Sequence, residues 1–137
     1  MNLLKLLFYI WIVAFFSSAF AKGDNYINYH KQILKAQLFY INGNLDSCMI
    51  VYANTFEQYP KSFPRDNFVA AQIAATENKE LNCYSFLERA MKNGVILHTI
   101  EKSKVFDTFL NSSLGLKLKA KSDSLHFLFL QKIDTLN

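Results

Sequence analysis

The sequence predicts an all-α protein in which antiparallel helical hairpins stack on one another and a C-terminal helix caps the open end of the stack. The first observation behind this prediction is composition. Of the 137 residues, 51% are hydrophobic, whereas Gly and Pro number only four and two. Such a chain suits one domain of helices with short connections and is too hydrophobic to be disordered. The second observation is apolar periodicity at helical spacing, and the third is a spacing pattern that occurs twice.

The repeated pattern first appears between Ala36 and Pro60 and returns between Ala71 and Gly94. In the first copy, its small and large residues are Ala36, Phe39, Cys48, Tyr52 and Thr55. In the second copy, they are Ala71, Ala74, Cys83, Leu87 and Ala90, at an offset of 83 minus 48, or 35 residues. A period in this range is typical of helical hairpins that bury their apolar faces only by stacking on a neighbouring unit.

This pattern resembles that of the tetratricopeptide repeat, a family of helical hairpins with a period of about 34 residues. The small, aromatic and closing residues of the family pattern have counterparts in the first unit at Ala36, Phe39, Cys48, Tyr52 and Pro60. The second unit matches at Ala71, Cys83, Leu87 and Ala90, but Ala74 replaces the aromatic residue. The family's early Trp and Leu are replaced in the two units by Gln32 and Lys35, and by Asn67 and Ala70. The resemblance implies a short right-handed superhelix of two repeats, residues 29–62 and 63–94.

Residues 1–21 have the layout of a secretory signal peptide. One lysine precedes the uninterrupted apolar run at residues 6–16, and the small side chains of Ala19 and Ala21 suit a signal peptidase. We therefore predict cleavage after Ala21, a secreted or periplasmic location, and a lead-in at residues 22–28. The alternative is a retained membrane anchor, but spanning a bilayer takes about 17 to 25 apolar residues and this run is shorter. After signal removal, no stable membrane insertion is expected.

Periodicity and turn residues predict the helices of the two hairpins. The apolar residues of the first helix, between Asn25 and Ile41, are Ile27, Ile33, Leu34, Leu38, Phe39 and Ile41. The other three helices are predicted at residues 45–59, 67–76 and 80–92. Turn residues at 42–44 separate the first two helices, and Pro60 ends the second because it disfavours helix for the residue before it. Asp66 is predicted to cap the third helix, and Gly94 to close the fourth.

After Gly94 the repeat fades, and residues 95–137 are predicted to form irregular helices followed by a capping helix. Two short helices are expected at residues 95–102 and 104–110. The run at residues 114–121 alternates like a strand, but the surrounding periodicity favours a turn that leads into the final helix. That helix, from Ser122, carries an amphipathic stripe of Leu125, Leu128, Phe129, Ile133 and Leu136. Phe127 and Leu130 fall off this stripe, which leaves them for a partner or a second copy.

The charged residues show no arrangement typical of a nucleic-acid-binding protein. The formal net charge is only +4, and such proteins cluster Lys and Arg with aromatic residues on one face. The late lysines, interspersed with acidic residues, are Lys102, Lys104, Lys117, Lys119 and Lys121. A solvated surface and no nucleic-acid partner are therefore predicted.

No residue cluster indicates a metal, a cofactor or a catalytic site. His30, His98 and His126 lie far apart, and none has a second His or a carboxylate four residues away, as helical metal sites do. The four glycines are too scattered to form a phosphate-binding loop. We therefore predict no cofactor, no metal and no enzymatic activity.

The two cysteines leave alternatives open. Cys48 and Cys83 hold equivalent positions in the two units, and thiols of exported proteins tend to pair. Neighbouring helices lie about 8 to 10 Å apart, whereas a disulfide needs Cα atoms within about 4.4 to 6.8 Å. Two buried thiols are therefore favoured over a bridge. The alternative function is a small exported thiol, redox or other enzyme whose site is assembled from Cys48, Cys83 and a histidine.

The resemblance to the tetratricopeptide family implies that the first helix of each unit lines a groove for a protein or peptide partner. The matching outward positions here are His30, Ile33, Gln37, Tyr40, Arg65, Phe68 and Gln72. The predicted function is an exported, non-enzymatic scaffold for protein–protein interaction. A membrane-tethered structural protein is a further alternative if residues 1–21 are retained. The sequence does not identify the partner or the oligomeric state.

Overall fold

The computed structural model describes residues 26–135, and every regular element within them is helical. Helix α1 covers residues 26–41, where the first helix is predicted. The further elements are α2 (Leu45–Gln58), α3 (Pro64–Thr76), α4 (Glu80–Lys92), α5 (Leu97–Glu101), a 3-10 turn (Lys104–Phe106), α6 (Asp107–Leu110) and α7 (Ser113–Asp134). The predicted all-α class is confirmed. The predicted signal peptide, residues 1–21, lies outside the described residues.

The turns after α1, α3 and α4 close their helices in the same way. Each turn contains a residue with positive φ: Gly43 at 74°, Asn78 at 55° and Gly94 at 109°. The backbone N–H groups that bond back to the helix are Asn44 to Phe39 O at 2.8 Å, Lys79 to Ala74 O at 2.8 Å and Val95 to Ala90 O at 3.0 Å. Gly43 and Asn78 are 78 minus 43, or 35 residues, apart. The two hairpins therefore turn alike at the offset of the sequence pattern.

Helix α3 begins at Pro64, earlier than the predicted start at Asn67. Proline suits the first position of a helix because its missing N–H would have no partner there. The predicted capping role of Asp66 is wrong, because Phe63 is the N-cap residue and no side chain caps this helix. Asp66 is instead buried within the first turn of α3. Its carboxylate is consequently available to α1.

The hydrophobic core lies between the hairpin helices. The predicted stripe of α2 is buried at Cys48, Met49, Tyr52 and Phe56. The ring of Phe56 meets that of Phe86 on α4 edge-on, with 5.5 Å between their centres. The buried small residues of α3 are Ala70, Ala71 and Ala74. Because alanine has almost no side chain, neighbouring helices can lie close to α3, as the sequence pattern predicts.

The chain after α4 forms short helical segments and then the long helix α7. The short segments fall within the two ranges predicted for short helices. Helix α7 is continuous from Ser113 to Asp134, so the alternating run at residues 114–121 is helical and the predicted start at Ser122 is wrong. The Ser112 hydroxyl accepts a hydrogen bond from the Gly115 N–H at 3.2 Å and thereby caps the helix.

Helix α7 packs against α4 and α6, where a capping helix is expected. Its buried residues include Leu118, Ser122 and Leu125. The Phe129 ring lies close to Gly94, where an added Cβ would stand 2.7 Å from it. Two residues of the predicted apolar stripe, Leu128 and Ile133, are exposed instead. The inner side of α7 is therefore centred nearer its N-terminal half than the sequence predicts.

Candidate binding surface

An aromatic cluster forms where the first described turns of α1 meet the linker between α2 and α3. Tyr26, Tyr29 and His30 lie on one side of α1 because residues three and four positions apart share a helix face. Phe63 of the linker contacts all three rings, edge-on to Tyr26 and Tyr29 at 5.5 and 5.7 Å and stacked on His30 at 5.8 Å. Tyr59 meets Tyr29 edge-on at 5.4 Å. The cluster is thus built around Phe63.

Two surface depressions lie next to each other on this cluster and share Phe63. The first has a volume of about 370 Å³ and is lined by Tyr26, Tyr29, Gln58, Tyr59, Pro60, Lys61 and Phe63. The second has a volume of about 450 Å³ and is lined by His30, Phe63, Pro64 and Arg65. Both volumes fall within the range of about 300 to 1,000 Å³ that is usual for ligand sites.

A hydrogen-bond network fixes the linker to α1 beneath these depressions. The Tyr29 hydroxyl donates to Asp66 Oδ2 at 2.8 Å and accepts from the Phe63 N–H at 3.2 Å. Asp66, only 3% exposed, also accepts from Arg65 Nε and Nη2 at 3.3 and 3.2 Å. Burial and the bond to Asp66 raise the pKa of Tyr29, so its hydroxyl remains a donor across the physiological range. The position of Phe63 is therefore set by buried polar contacts.

Asn67 holds the linker from the other side. Its Nδ2 donates to Ser62 Oγ and to the Phe63 carbonyl, both at 2.8 Å. Asn67 and Ser62 are both buried. Because Phe63 is bonded through its N–H to Tyr29 and through its carbonyl to Asn67, the backbone that carries its ring is held before any ligand binds.

The structure distributes the predicted groove residues over different environments. His30 and Arg65 line the same depression, so the structure brings this pair together. Ile33 is 5% exposed and packs in the hydrophobic core, not on a surface that a ligand can reach. Phe68 is half-buried, with its ring edge-on to Phe106 of the 3-10 turn at 5.4 Å. The remaining three predicted residues, all half-buried, are Gln37, Tyr40 and Gln72.

The aromatic cluster lies outside the groove that the sequence predicts. Tyr26, Tyr29 and Tyr59 were absent from the predicted groove, as was Phe63 in the linker. A signal was present, because aromatic residues at Tyr26 and Tyr29 share a helix face and two prolines bracket Phe63. The tetratricopeptide pattern assigns outward positions by helix phase alone and gives no weight to the linker.

The cysteines do not resemble a reactive thiol site. Cys48 on α2 and Cys83 on α4 are both free and fully buried. Burial raises the pKa of Cys48 to about 11 and that of Cys83 to about 12. A protonated, buried thiol is a poor nucleophile because the thiolate is the reactive form.

Within residues 26–135, no group of three or more His, Cys, Asp or Glu side chains is placed to hold a metal ion. In the same part of the chain, no helix combines the length and the hydrophobicity that crossing a membrane requires.

Known proteins offer no guide to this surface. Comparison of the chain with family models, curated proteins and solved structures finds no match. The function of this surface is therefore inferred from its own residues.

Proposed function

We propose that this protein is an exported, non-enzymatic interaction module that binds an extended peptide segment of a partner protein. The observation that carries the proposal is the pair of adjacent depressions that share the fixed ring of Phe63. A single small ligand needs one pocket, whereas neighbouring shallow sites suit successive side chains of an extended chain. Because the Phe63 backbone is held before binding, less conformational entropy is lost when a ligand docks on its ring.

The lining indicates the kind of segment that fits. Aromatic walls formed by Tyr26, Tyr59 and Phe63 favour proline or other apolar side chains, because extended proline-rich segments dock into aromatic grooves. Arg65 has a side chain that is 81% exposed at the edge of the second depression. Its guanidinium can donate to a backbone carbonyl or a carboxylate of the ligand. The preferred segment thus combines proline with an acidic or carbonyl group near Arg65.

Export and a tetratricopeptide-like stack are part of this proposal. The signal-like layout of residues 1–21 supports export, and mass spectrometry of the exported protein tests it. A chain that begins at Lys22 is expected, and one that still begins at Met1 would favour the membrane-tethered alternative. The matching turns at Gly43 and Asn78 support repeated hairpins over residues 29–62 and 63–94.

The thiol-enzyme alternative has less support. Cys48 and Cys83 are both buried and carry raised pKa values, so neither presents a thiolate to a substrate. The aromatic surface, in contrast, is open to solvent and contains residues suited to contact without chemistry. We therefore favour binding over catalysis.

Selection of peptides from a displayed random library on the purified protein tests the proposed function. Selected peptides are expected to be enriched in proline, and Tyr26→Ala and Arg65→Ala are each expected to weaken their binding about tenfold, or about 1.4 kcal/mol. Both side chains are exposed, but Arg65 also donates to the buried Asp66, so thermal unfolding must show that each variant keeps its fold before binding is compared. Ile50→Ala, on an exposed position of α2, is the matched control and should bind normally.

A further variant separates the aromatic surface from the originally predicted groove. Gln72→Ala should leave binding unchanged if the ligand lies on the aromatic surface alone. Weaker binding with Gln72→Ala as well as Arg65→Ala would extend the site along the predicted groove. Normal binding by both Tyr26→Ala and Arg65→Ala would contradict the proposal.

A further inference from the structure

Helix α1 is apolar on two opposite sides. Its inner side packs in the core through Tyr29, Ile33 and Ala36. Its outer side carries four large apolar residues that are between 56% and 76% exposed: Ile27, Leu34, Leu38 and Ile41. At 3.6 residues per turn, these four lie within about 60° of one another around the helix axis. Nothing in the described part of this chain covers that stripe, so it is available to another molecule.

The narrowness of the stripe favours another helix over a membrane surface. A helix that lies in a membrane interface needs a broad apolar face, whereas a narrow stripe is the seam of two paired helices. The seam positions recur at alternating spacings of four and three residues, which place Lys31 between Ile27 and Leu34. Lys31 is thus the one charged residue in an otherwise apolar seam.

The charges of α1 restrict what can pair with it. Residues 26–41 contain Lys31 and Lys35 but no Asp or Glu. A second copy of α1 would therefore offer no carboxylate to Lys31 in any orientation, and an unpaired charge at a helix interface is unfavourable. The complementary helix must have an apolar seam with an acidic residue at the matching position.

The outer side of α7 has these features. Leu116, Phe127 and Leu130 are between 45% and 60% exposed, on the side opposite the buried Leu118 and Leu125. With the exposed Ala120 and Asp123, they follow the same alternation of four and three residues. The outer seam of α7 is therefore apolar with one acidic residue, and the outer seam of α1 is apolar with one basic residue.

We propose that α1 of one copy of this protein pairs antiparallel with α7 of a second copy. In one antiparallel register, the facing residues are Ile27 with Phe127, Lys31 with Asp123, Leu34 with Ala120, and Leu38 with Leu116. In three of these four pairs both residues are apolar, and the fourth brings the only charged residue of each stripe together. At the ends of the contact, Ile41 faces Ser113, and Leu130 lies beyond the described start of α1. A parallel arrangement that pairs Lys31 with Asp134 would leave Leu34 and Leu38 beyond the end of α7, which is at Asp134.

The contact joins two different surfaces, the outer sides of α1 and α7. Each copy has both, so each copy can bind one neighbour through α1 and another through α7. Such a head-to-tail interface forms chains or closed rings, not only dimers. The contact is short, and Lys35 lies beside Lys117 at its edge, which adds a like-charge pair. We therefore expect a weak interface, with a dissociation constant on the order of 10 to 100 μM, in the class of small transient contacts.

Sedimentation velocity of the purified chain from about 5 to 500 μM tests the proposal. The average mass should rise with concentration. Leu34→Asp blocks α1 and Phe127→Asp blocks α7, and each variant alone should remain monomeric. An equimolar mixture of the two should form dimers and no larger species. The α1 surface of the Phe127→Asp chain pairs with the α7 surface of the Leu34→Asp chain, and both surfaces left over in that dimer are blocked. Both positions are exposed, and circular dichroism confirms that each variant is folded.

A charge exchange tests the register. Lys31→Glu and Asp123→Lys should each weaken association at least tenfold, and the chain that carries both should associate as the native chain does. A native chain that stays monomeric at 500 μM would overturn the proposal. So would self-association of Phe127→Asp alone, which would indicate pairing through α1 only. Binding of the monomer to phosphatidylserine vesicles, abolished by Leu34→Asp, would overturn it in favour of a membrane surface.

Discussion

Helix α3 and the terminal helices α1 and α7 use their apolar residues differently. Helix α3 is enclosed by its neighbours, and of its residues only Arg65 and Thr76 are exposed. Helices α1 and α7 each bury one side and expose large apolar residues on the other. Helix α3 packs against α2, α4 and the 3-10 turn, whereas α1 and α7 bury only one side. Within residues 26–135 of one copy, nothing covers the outer apolar residues of α1 and α7, which suggests contacts with other molecules.

The first prediction concerns the inner side of α7, which is packed as closely as the middle of the molecule. A Cβ at Gly115 would lie 2.6 Å from Leu110 Cα and would also overlap the Phe109 carbonyl oxygen. Since backbone atoms cannot move aside easily, Gly115→Ala should lower the free energy of unfolding by about 3 to 5 kcal/mol. Chemical denaturation monitored by circular dichroism measures this change.

Gly43→Ala is the control, because it replaces a glycine by alanine at a position where the added methyl group meets no neighbouring atom. Gly43 has a φ of +74°, but nothing lies within 4 Å of an added Cβ. Only the backbone conformation opposes alanine there, so the expected loss is about 1 kcal/mol. Equal losses for the two glycines would show that α7 is not closely packed on α6.

The second prediction tests the two sides of α1 with neighbouring residues. Ile33 belongs to the core, whereas Leu34 is on the exposed outer stripe. Ile33→Ala should lower the free energy of unfolding by about 2 to 4 kcal/mol because it leaves a cavity. Leu34→Ala should change it by less than about 0.5 kcal/mol at a protein concentration low enough to prevent association. A large loss for Leu34→Ala in dilute solution would mean that the outer stripe is covered within one copy.

The third prediction compares two buried tyrosine hydroxyls. Tyr29→Phe leaves the Asp66 carboxylate without one donor and the Phe63 N–H without its acceptor, so we expect a loss of about 2 to 3 kcal/mol. Tyr52→Phe is the matched control, since the buried Tyr52 hydroxyl makes no hydrogen bond of normal geometry among the described residues, although the nearby Gln37 side chain acts to lower its pKa. Removing it should be neutral or slightly stabilising. Thermal unfolding of both variants measures the difference, and similar losses would contradict the role given to Tyr29.

The sequence predicted the helices of the two hairpins well because local signals determine them. Helix α4 has its predicted bounds, and the turns fall at Gly43 and Gly94, where positive φ favours glycine. The alternating residues at 114–121 were misjudged as a separate turn. Leu118, in the middle of this run, is buried, and α7 packs against α4 and α6. Tertiary packing therefore outweighs a weak local pattern.

The candidate site was less predictable because it depends on contacts between distant residues. Asp66 follows a linker and precedes a helix, so capping was the local interpretation. Its buried bond to Tyr29 joins residues that are 37 positions apart, which no short-range pattern reveals. Likewise, periodicity identified the apolar residues of α1 but did not show that Ile33 is buried and Leu34 exposed. Periodicity does not reveal how many sides of a helix are packed against other elements.

The last prediction returns to the core between the hairpin helices, through the pH dependence of stability. Burial raises the pKa of Cys83 from the ordinary value of 9.0 to about 12, and that of Cys48 to about 11. Because the pKa is higher in the folded state than in the unfolded chain, the contribution of each protonated thiol to the free energy of unfolding is complete below pH 9. It is lost as pH rises from about 9 toward 12, because the unfolded chain releases its thiol protons first.

The expected effect is about 1.4 kcal/mol of lost stability for each thiol between pH 8 and pH 10. Denaturation of the native chain and of Cys83→Ala at both pH values isolates the share of Cys83. The alanine variant is less stable at pH 8 because of the lost packing, but its further loss at pH 10 should be smaller by about 1.4 kcal/mol. The comparison uses the change with pH, so the packing loss cancels. If both chains lose the same free energy of unfolding between pH 8 and pH 10, Cys83 is accessible to water in the folded protein. Helix α4 would then be less enclosed than the inner sides of α1 and α7.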